Sequence, residues 1–180
     1  MAELKKYPIP AGTGFDGRRI VSSTGELIYE VNRSLRMETP EAEALLLQDG
    51  CSELAGKIMA VSENRFPSVC FLGALDKKTL KNSRRMLFLY LTDLKNNGTE
   101  ISESLLVTPG KLPLIVRSGR VSVELKLAGE PQVWALAYTG ARKKRIPVGK
   151  TAQGIQFHAD SVTDKDIMYA FEIVYLSVTQ

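Results

Sequence analysis

The feature that most limits what this chain can fold into is an uninterrupted apolar run, Met86–Leu91, near the middle of the sequence. Arg84 and Arg85 precede the run, and Thr92 and Asp93 follow it. The run is too short to cross a bilayer as a helix, which needs about 20 apolar residues. A run of this length with polar ends is typical of a strand covered on both faces, although a buried helical segment has the same pattern. We therefore predict that it is the central strand of a β-sandwich.

Strand signals recur along the rest of the chain and favour an all-β fold. The clearest is Val121–Leu127, in which apolar and polar residues alternate as in a half-buried strand. Glu41–Gln48 is ambiguous, because its composition is helical while its length is marginal for a helix. Turn residues divide the chain into roughly a dozen short strands, spaced about 8–12 residues apart. This pattern predicts an antiparallel β-sandwich, Ig-like or jelly-roll-like, with little helix.

Length and local composition predict one folded domain. A chain of 180 residues is long enough to bury a sizeable core. Residues 1–17 contain Pro8, Pro10 and three glycines, which favour an extended N-terminal arm or a linker remnant. Residues 18–180 form the single predicted sandwich domain.

Charge and hydropathy argue against two classes of partner. The net charge is +4, with 24 basic residues spread among 20 acidic ones, whereas a nucleic-acid interface needs a concentrated basic face. No apolar segment is long enough to span a membrane. The N-terminus lacks the apolar core of a signal peptide, so we expect either a cytoplasmic protein or a mature or excised piece whose export signal lies elsewhere. Cys51 and Cys70 fit either one disulfide or two buried thiols.

Two blocks of sequence are similar to the β-sandwich that follows the catalytic barrel in certain bacterial glycoside hydrolases. The first is a Ser-x-Thr-Gly-Glu hairpin within Asp16–Leu27, followed by a strand that ends in Thr39-Pro40. The second is the Ser83-Arg84-Arg85 entry into the long apolar strand. The closing segments, Val133–Gly140 and Met168–Val174, resemble the same domains. The likeness covers most of residues 16–174, although the long strand does not continue into the usual small-residue stretch.

The resemblance implies a role in polysaccharide breakdown without catalysis. The catalytic carboxylates of those enzymes lie on barrel strands that this chain does not contain, so no catalytic residue transfers and the chain is not expected to be an enzyme. We expect an accessory domain that binds a polysaccharide or oligosaccharide through exposed aromatic residues. The alternative is a structural module that packs on a glycoside hydrolase catalytic domain or self-associates. Membership of a secreted enzyme would imply an extracellular or periplasmic location.

Aromatic residues are the candidate sugar-binding groups, because aromatic faces pack against the C–H surfaces of pyranose rings. Trp134 and Tyr138 are four residues apart on one predicted strand, which corresponds to about 13 Å at about 3.3 Å per residue. The alternative for this strand is that Trp134, Leu136 and Tyr138 belong to the core. The candidates are Trp134, Tyr138, Tyr29 and Tyr169, with Tyr90 as a further aromatic residue.

The charged candidates each have a simpler interpretation. Asp160, Asp164 and Asp166 could bind a structural calcium ion, but they lack the glycine and glutamate of the standard calcium loop; no other cofactor is expected. The pair Glu41/Glu43 has the composition of a glycosidase carboxylate pair without a recognisable context. Arg142–Arg145 could meet an acidic polysaccharide, although a solvated hairpin turn is the preferred interpretation. His158 is the only histidine and falls on the polar side of a predicted strand.

Overall fold

Every regular element of the described chain is a β-strand, which confirms the predicted all-β class. A computed structural model describes residues 14–163 and 166–175. All strand pairs in these residues are antiparallel, as expected for a sandwich. No helix in the described residues is long and apolar enough to cross a membrane.

The larger layer is a ten-stranded sheet. Most of its strands follow one another along the chain as hairpins, and three strands from later in the chain complete one end of the sheet. In spatial order its strands are β1 (Gly14–Phe15), β2 (Arg19–Val21), β3 (Leu27–Glu30), β4 (Ser34–Glu38), β5 (Ala42–Leu47), β8 (Ser68–Ala74), β9 (Arg85–Leu91), β19 (Ala170–Tyr175), β13 (Pro131–Leu136) and β14 (Arg142–Ile146).

The smaller layer is a five-stranded sheet, and two hairpins lie outside both sheets. In spatial order the five strands are β15 (Gly149–Lys150), β16 (Ile155–Asp160), β12 (Arg120–Leu125), β7 (Met59–Ser62) and β6 (Leu54–Ala55). The first hairpin pairs β10 (Leu94–Ser102) with β11 (Leu105–Val116), and the second pairs β17 (Val162–Thr163) with β18 (Asp166–Ile167).

The core lies between the two sheets and is centred on three phenylalanines. Phe88 of β9 meets Phe157 of β16 edge to face, with ring centroids 5.6 Å apart. Phe171 of β19 lies 5.9 Å from Phe88 and 6.5 Å from Phe157. All three side chains are buried. Aromatic pairs in this geometry add about 0.5–1.5 kcal/mol beyond the area that they bury.

The apolar run occupies β9, but the sandwich covers only one of its two faces. Met86, Phe88 and Tyr90 point into the core and are 0% exposed. Leu87 and Leu89 point to the opposite side and are half-buried, and Leu91 there is 39% exposed. The prediction of a strand covered on both faces is therefore wrong for the described residues, because the second sheet packs against one side only.

Two other segments differ from their sequence-based interpretation. Glu41–Gln48, helical by composition, contains strand β5, because pairing with β4 and β8 on either side overrides the propensity. Arg142–Arg145 is not a turn but part of the edge strand β14, since the hairpin turn lies earlier, between Ala137 and Ala141. Charged residues on an edge strand discourage pairing with another chain. Within the N-terminal segment 1–17, which was predicted to be extended, Gly14–Phe15 pairs with β2, while residues 1–13 lie outside the described chain.

Candidate functional site

The outer face of the ten-stranded sheet, the side turned away from the five-stranded sheet, carries two cross-strand rows of apolar residues. In each row the side chains are direct partners on neighbouring strands. The first outer row is Phe15, Ile20, Tyr29, Leu35, Leu46, Val69 and Leu91. The second outer row is Leu27, Met37, Ala44, Phe71, Leu89 and Ala170.

These two rows contain no charged side chain and remain partly open to solvent. Phe15 is 64% exposed, Leu27 45%, and Ile20 and Leu91 are each 39% exposed. The other members are half-buried among their neighbours in the described chain. Singly exposed apolar residues are normal on a protein surface, whereas a continuous apolar patch marks an interaction site. The outer face is therefore the strongest candidate site on this domain.

Trp134 also lies on the outer face, beyond the end of the apolar rows. It stands opposite Glu172 of β19 and Arg145 of β14 and is half-buried. The Arg142 guanidinium lies over the indole ring, 5.5 Å from its centroid, and the indole Nε1–H donates to Gln132 Oε1 at 3.3 Å. Trp134 is thus outside the core, and a cation covers part of its ring.

Glu172 anchors the charged end of the outer face. It is 4% exposed and accepts hydrogen bonds from Arg142 Nε at 2.6 Å and from Arg85 Nε at 2.7 Å. Burial raises the pKa of Glu172, but the hydrogen bonds and charges of Arg142 and Arg85 outweigh burial, and the resulting pKa lies below its ordinary value. The carboxylate therefore stays ionised and holds two guanidinium groups, of which that of Arg142 lies over Trp134.

The other candidate aromatic residues do not gather around Trp134. Tyr138 is 101% exposed and lies in the turn after β13, because that strand ends at Leu136 with a register shift. Tyr29 belongs to the first outer row on β3, six strand spacings or about 29 Å from Trp134 on β13. Tyr169 is half-buried, its hydroxyl has no hydrogen-bond partner among the described residues, and burial raises its pKa. Tyr90 is 0% exposed in the core, which removes it as a sugar-binding residue.

The proposed calcium ligands are engaged with cations where the structure describes them. Asp166 forms an ion pair with Lys143, and Asp160 Oδ1 lies 3.9 Å from Arg120 Nε. Asp164 lies outside the described residues. Within the described chain, no group of three or more histidine, cysteine or acidic side chains is arranged to hold a metal ion.

The candidate carboxylates Glu41 and Glu43 differ in burial. Glu43 points into the sandwich and is 1% exposed, whereas Glu41 is exposed just before β5. Each Glu43 oxygen accepts a backbone N–H at 2.8 Å, from Ile58 and from Met59. Glu43 therefore ties β5 to the start of β7, which is a structural role.

The β10–β11 hairpin, here called the arm, is the second apolar surface. Its two strands pair with each other along their length and with no other described strand. Its base is fixed where Thr92 Oγ1 donates to the Arg117 carbonyl at 2.7 Å and Arg117 meets Asp93 at 3.4 Å. Eight large apolar side chains on the arm are 44–79% exposed: Leu94, Ile101, Leu105, Leu106, Val107, Leu112, Leu114 and Ile115.

From sequence alone, the polar residues 96–103 predict a loop, and Leu105–Thr108 and Leu112–Val116 predict two short strands, so the arm is not visible as one hairpin. Pro109-Gly110 marked a break, but Gly110 adopts φ 68° and β11 passes through it. A Cβ at Gly110 would lie 2.5 Å from the Asn97 carbonyl oxygen, so only glycine allows the close pairing. The paired apolar residues on both sides of the break were the available signal.

Comparisons of the chain with protein-family models, with curated proteins and with solved structures found no match in any of the three.

Proposed function

We propose that this chain is a non-catalytic accessory β-sandwich of a polysaccharide-degrading system, and that its outer face packs against the catalytic barrel. The link to polysaccharide breakdown depends on the resemblance of Asp16–Leu27, Ser83–Leu89 and the closing segments to glycoside hydrolase sandwiches. Packing on a barrel is the alternative that the geometry favours over sugar binding. The observation that carries this choice is the first outer row, in which seven directly paired side chains include no charge.

The physical argument is that an uncharged sheet face is stabilised when another surface removes it from water. Burial of apolar area contributes about 25 cal/mol per Å², and patches of this kind mark protein contacts. A sugar platform needs an open aromatic face, whereas the ring of Trp134 is partly covered by Arg142. The outer face therefore suits a protein surface better than a glycan.

Photo-cross-linking in the producing organism tests this proposal. A photoreactive phenylalanine analogue replaces Ile20 on the outer face, and Ile167 in the β17–β18 hairpin serves as the matched control, since the two side chains are 39% and 43% exposed. With the chain expressed from its own locus, we expect the Ile20 probe to join a polypeptide segment that forms a glycoside hydrolase barrel. Cross-links only to unrelated proteins, or equal labelling from both positions, would contradict the proposal.

Glycan binding is the second candidate, and Tyr138 favours it. Tyr138 is fully exposed, and it follows Trp134 in the same β13–β14 hairpin. Affinity electrophoresis against plant and algal polysaccharides, with the wild type, Trp134→Ala and Tyr138→Ala, tests this reading. Glycan binding is supported if one glycan class retards the wild type and both substitutions abolish the retardation. If no glycan retards the folded protein, packing against a protein is the candidate function that remains.

A further inference from the structure

The arm is the largest exposed apolar feature that the outer face does not include. A two-stranded hairpin is at best marginally stable by itself in water. This one nevertheless holds eight large apolar side chains in solvent, on two strands that pair with no third strand of the described chain. Its prolines, Pro109 and Pro113, lie on β11 and lack the N–H that strand pairing uses, whereas β10 contains no proline. The arm is therefore suited to contacts through side chains.

The composition of the arm identifies the chemistry of what it contacts. Residues 94–116 contain no aromatic residue, which excludes the stacking that sugars and single-stranded nucleic acids use. Their charged residues are Lys95, Glu100, Glu103 and Lys111, which sum to zero. An anionic polymer or an acidic membrane surface would require a positive excess. An uncharged, apolar protein surface is the partner that matches.

The arm continues the outer face along the chain. Leu91 ends the first outer row on β9, and Leu94 begins the arm after only Thr92 and Asp93. Both of these linking residues are held at the arm's base through Arg117. A partner that covers the first outer row at its Leu91 end would therefore meet the base of the arm.

Area gives an independent reason for a shared partner. Six strand spacings of about 4.8 Å and two rows about 7 Å apart give the outer rows a footprint of roughly 400–500 Å². A specific interface buries about 800 Å² on each partner, so the rows alone fall short. One face of the arm, about 30 Å long and about 10 Å wide, adds roughly 300 Å². Together the two surfaces reach the size of a standard interface.

We infer that the arm binds the same protein partner as the outer face. This second contact, between the arm and that partner, is called the clasp. This inference rests on the proposed function and names a second contact surface for it. The occupant is the barrel that covers the first outer row, and the contact is apolar and insensitive to salt.

The test places the photoreactive residue at Leu106 in the arm and compares its adduct with that of the Ile20 probe. We expect both positions to join the same barrel segment. If Ile20 joins a barrel while Leu106 joins a second copy of the chain, a lipid, another protein or nothing, the clasp is overturned and the proposed function stands. If Ile20 joins no barrel, the proposed function and the clasp fall together.

Shortening the arm gives a second readout on the purified protein. Lys95 and Ile115 are directly paired, so joining them through Asn-Gly replaces residues 96–114 with a two-residue hairpin turn. We expect an unchanged urea midpoint and at least a tenfold weaker affinity for the barrel segment recovered through Ile20. Leu106→Lys should weaken binding similarly, and Glu100→Lys on the facing strand should not. Unchanged affinity of the shortened protein would overturn the clasp.

Discussion

Leu46 of β5 stands directly opposite Val69 of β8 on the outer face of the ten-stranded sheet, within the first outer row. Leu45, the residue before Leu46 on β5, points into the core and is 0% exposed. One strand thus offers two adjacent leucines in opposite environments. Leu45 therefore contributes to the stability of the domain, whereas Leu46 is available to a partner.

We expect Leu45→Ala to lower the free energy of unfolding by about 2–5 kcal/mol, because it leaves a cavity in the core. Leu46→Ala should lower it by less than about 1 kcal/mol, since the side chain is only partly buried in the isolated domain. Urea denaturation of both variants measures the difference. Equal destabilisation would mean that the outer face is already covered within this chain.

Glu43 should be essential for stability, and Glu41 should not. Glu43→Gln leaves one of the two buried N–H groups, from Ile58 or Met59, without an acceptor, which costs about 1–3 kcal/mol. Glu43→Ala should cost more, because both N–H groups lose their partner. Glu41→Gln is the matched control, since Glu41 is exposed, and its urea midpoint should match that of the wild type. A tolerated Glu43→Ala would contradict the structural role.

The Glu172 cluster should make stability depend on pH in the acid range. The pKa of Glu172 is lower in the folded protein than in the unfolded chain. The stabilisation that Glu172 contributes is therefore complete above its pKa in the unfolded chain, and it is lost as the pH falls through its pKa in the folded protein. The unfolded pKa is about 4.3. We expect Glu172→Gln to be clearly less stable than the wild type at pH 7. The difference in stability between the two proteins should become smaller below about pH 4. Urea midpoints across this range measure the gap, and a constant gap would contradict the assignment.

Both cysteines should be unreactive in the folded protein. Cys51 and Cys70 are free and buried, and burial raises the pKa of Cys70 to about 12. A thiol reagent at pH 8 should modify neither residue until the chain unfolds, because burial keeps the reagent from both and disfavours the reactive thiolate of Cys70. Titration with the same reagent in urea should then detect two reactive thiols per chain. Rapid modification of Cys70 in native buffer would contradict its position in the core.

The sequence predicts the layers of this fold better than it predicts the surfaces. Alternation located β12, because burial on one face leaves a period of two in residue order, and the apolar run located β9. Spacing by two groups Tyr90 with Met86 and Phe88 on one face of β9, but an uninterrupted apolar run gives no sign of which face is buried. Pairing on both sides decided the ambiguous β5, and pairing is not visible in a single segment.

The candidate site was harder to predict, since it depends on which strands become neighbours. The first outer row joins Phe15 to Leu91 across seven strands, and no local pattern links those positions. Trp134 was expected either in the core or on an open platform, and it lies on the outer face beneath Arg142. Sugar binding by Trp134, Tyr138, Tyr29 and Tyr169 stays a prediction.

The central claim is that the outer face is a protein-docking surface, and one affinity measurement tests it most directly. Isothermal titration would compare the wild type, Leu91→Lys, Ile20→Lys and the control Ile167→Lys against the barrel segment recovered by cross-linking. We expect each outer-face lysine to weaken binding at least tenfold, because an unpaired charge would be buried, while the control stays within about twofold of the wild type. Unchanged affinity of the folded outer-face variants, or equal losses in all three, would contradict the account.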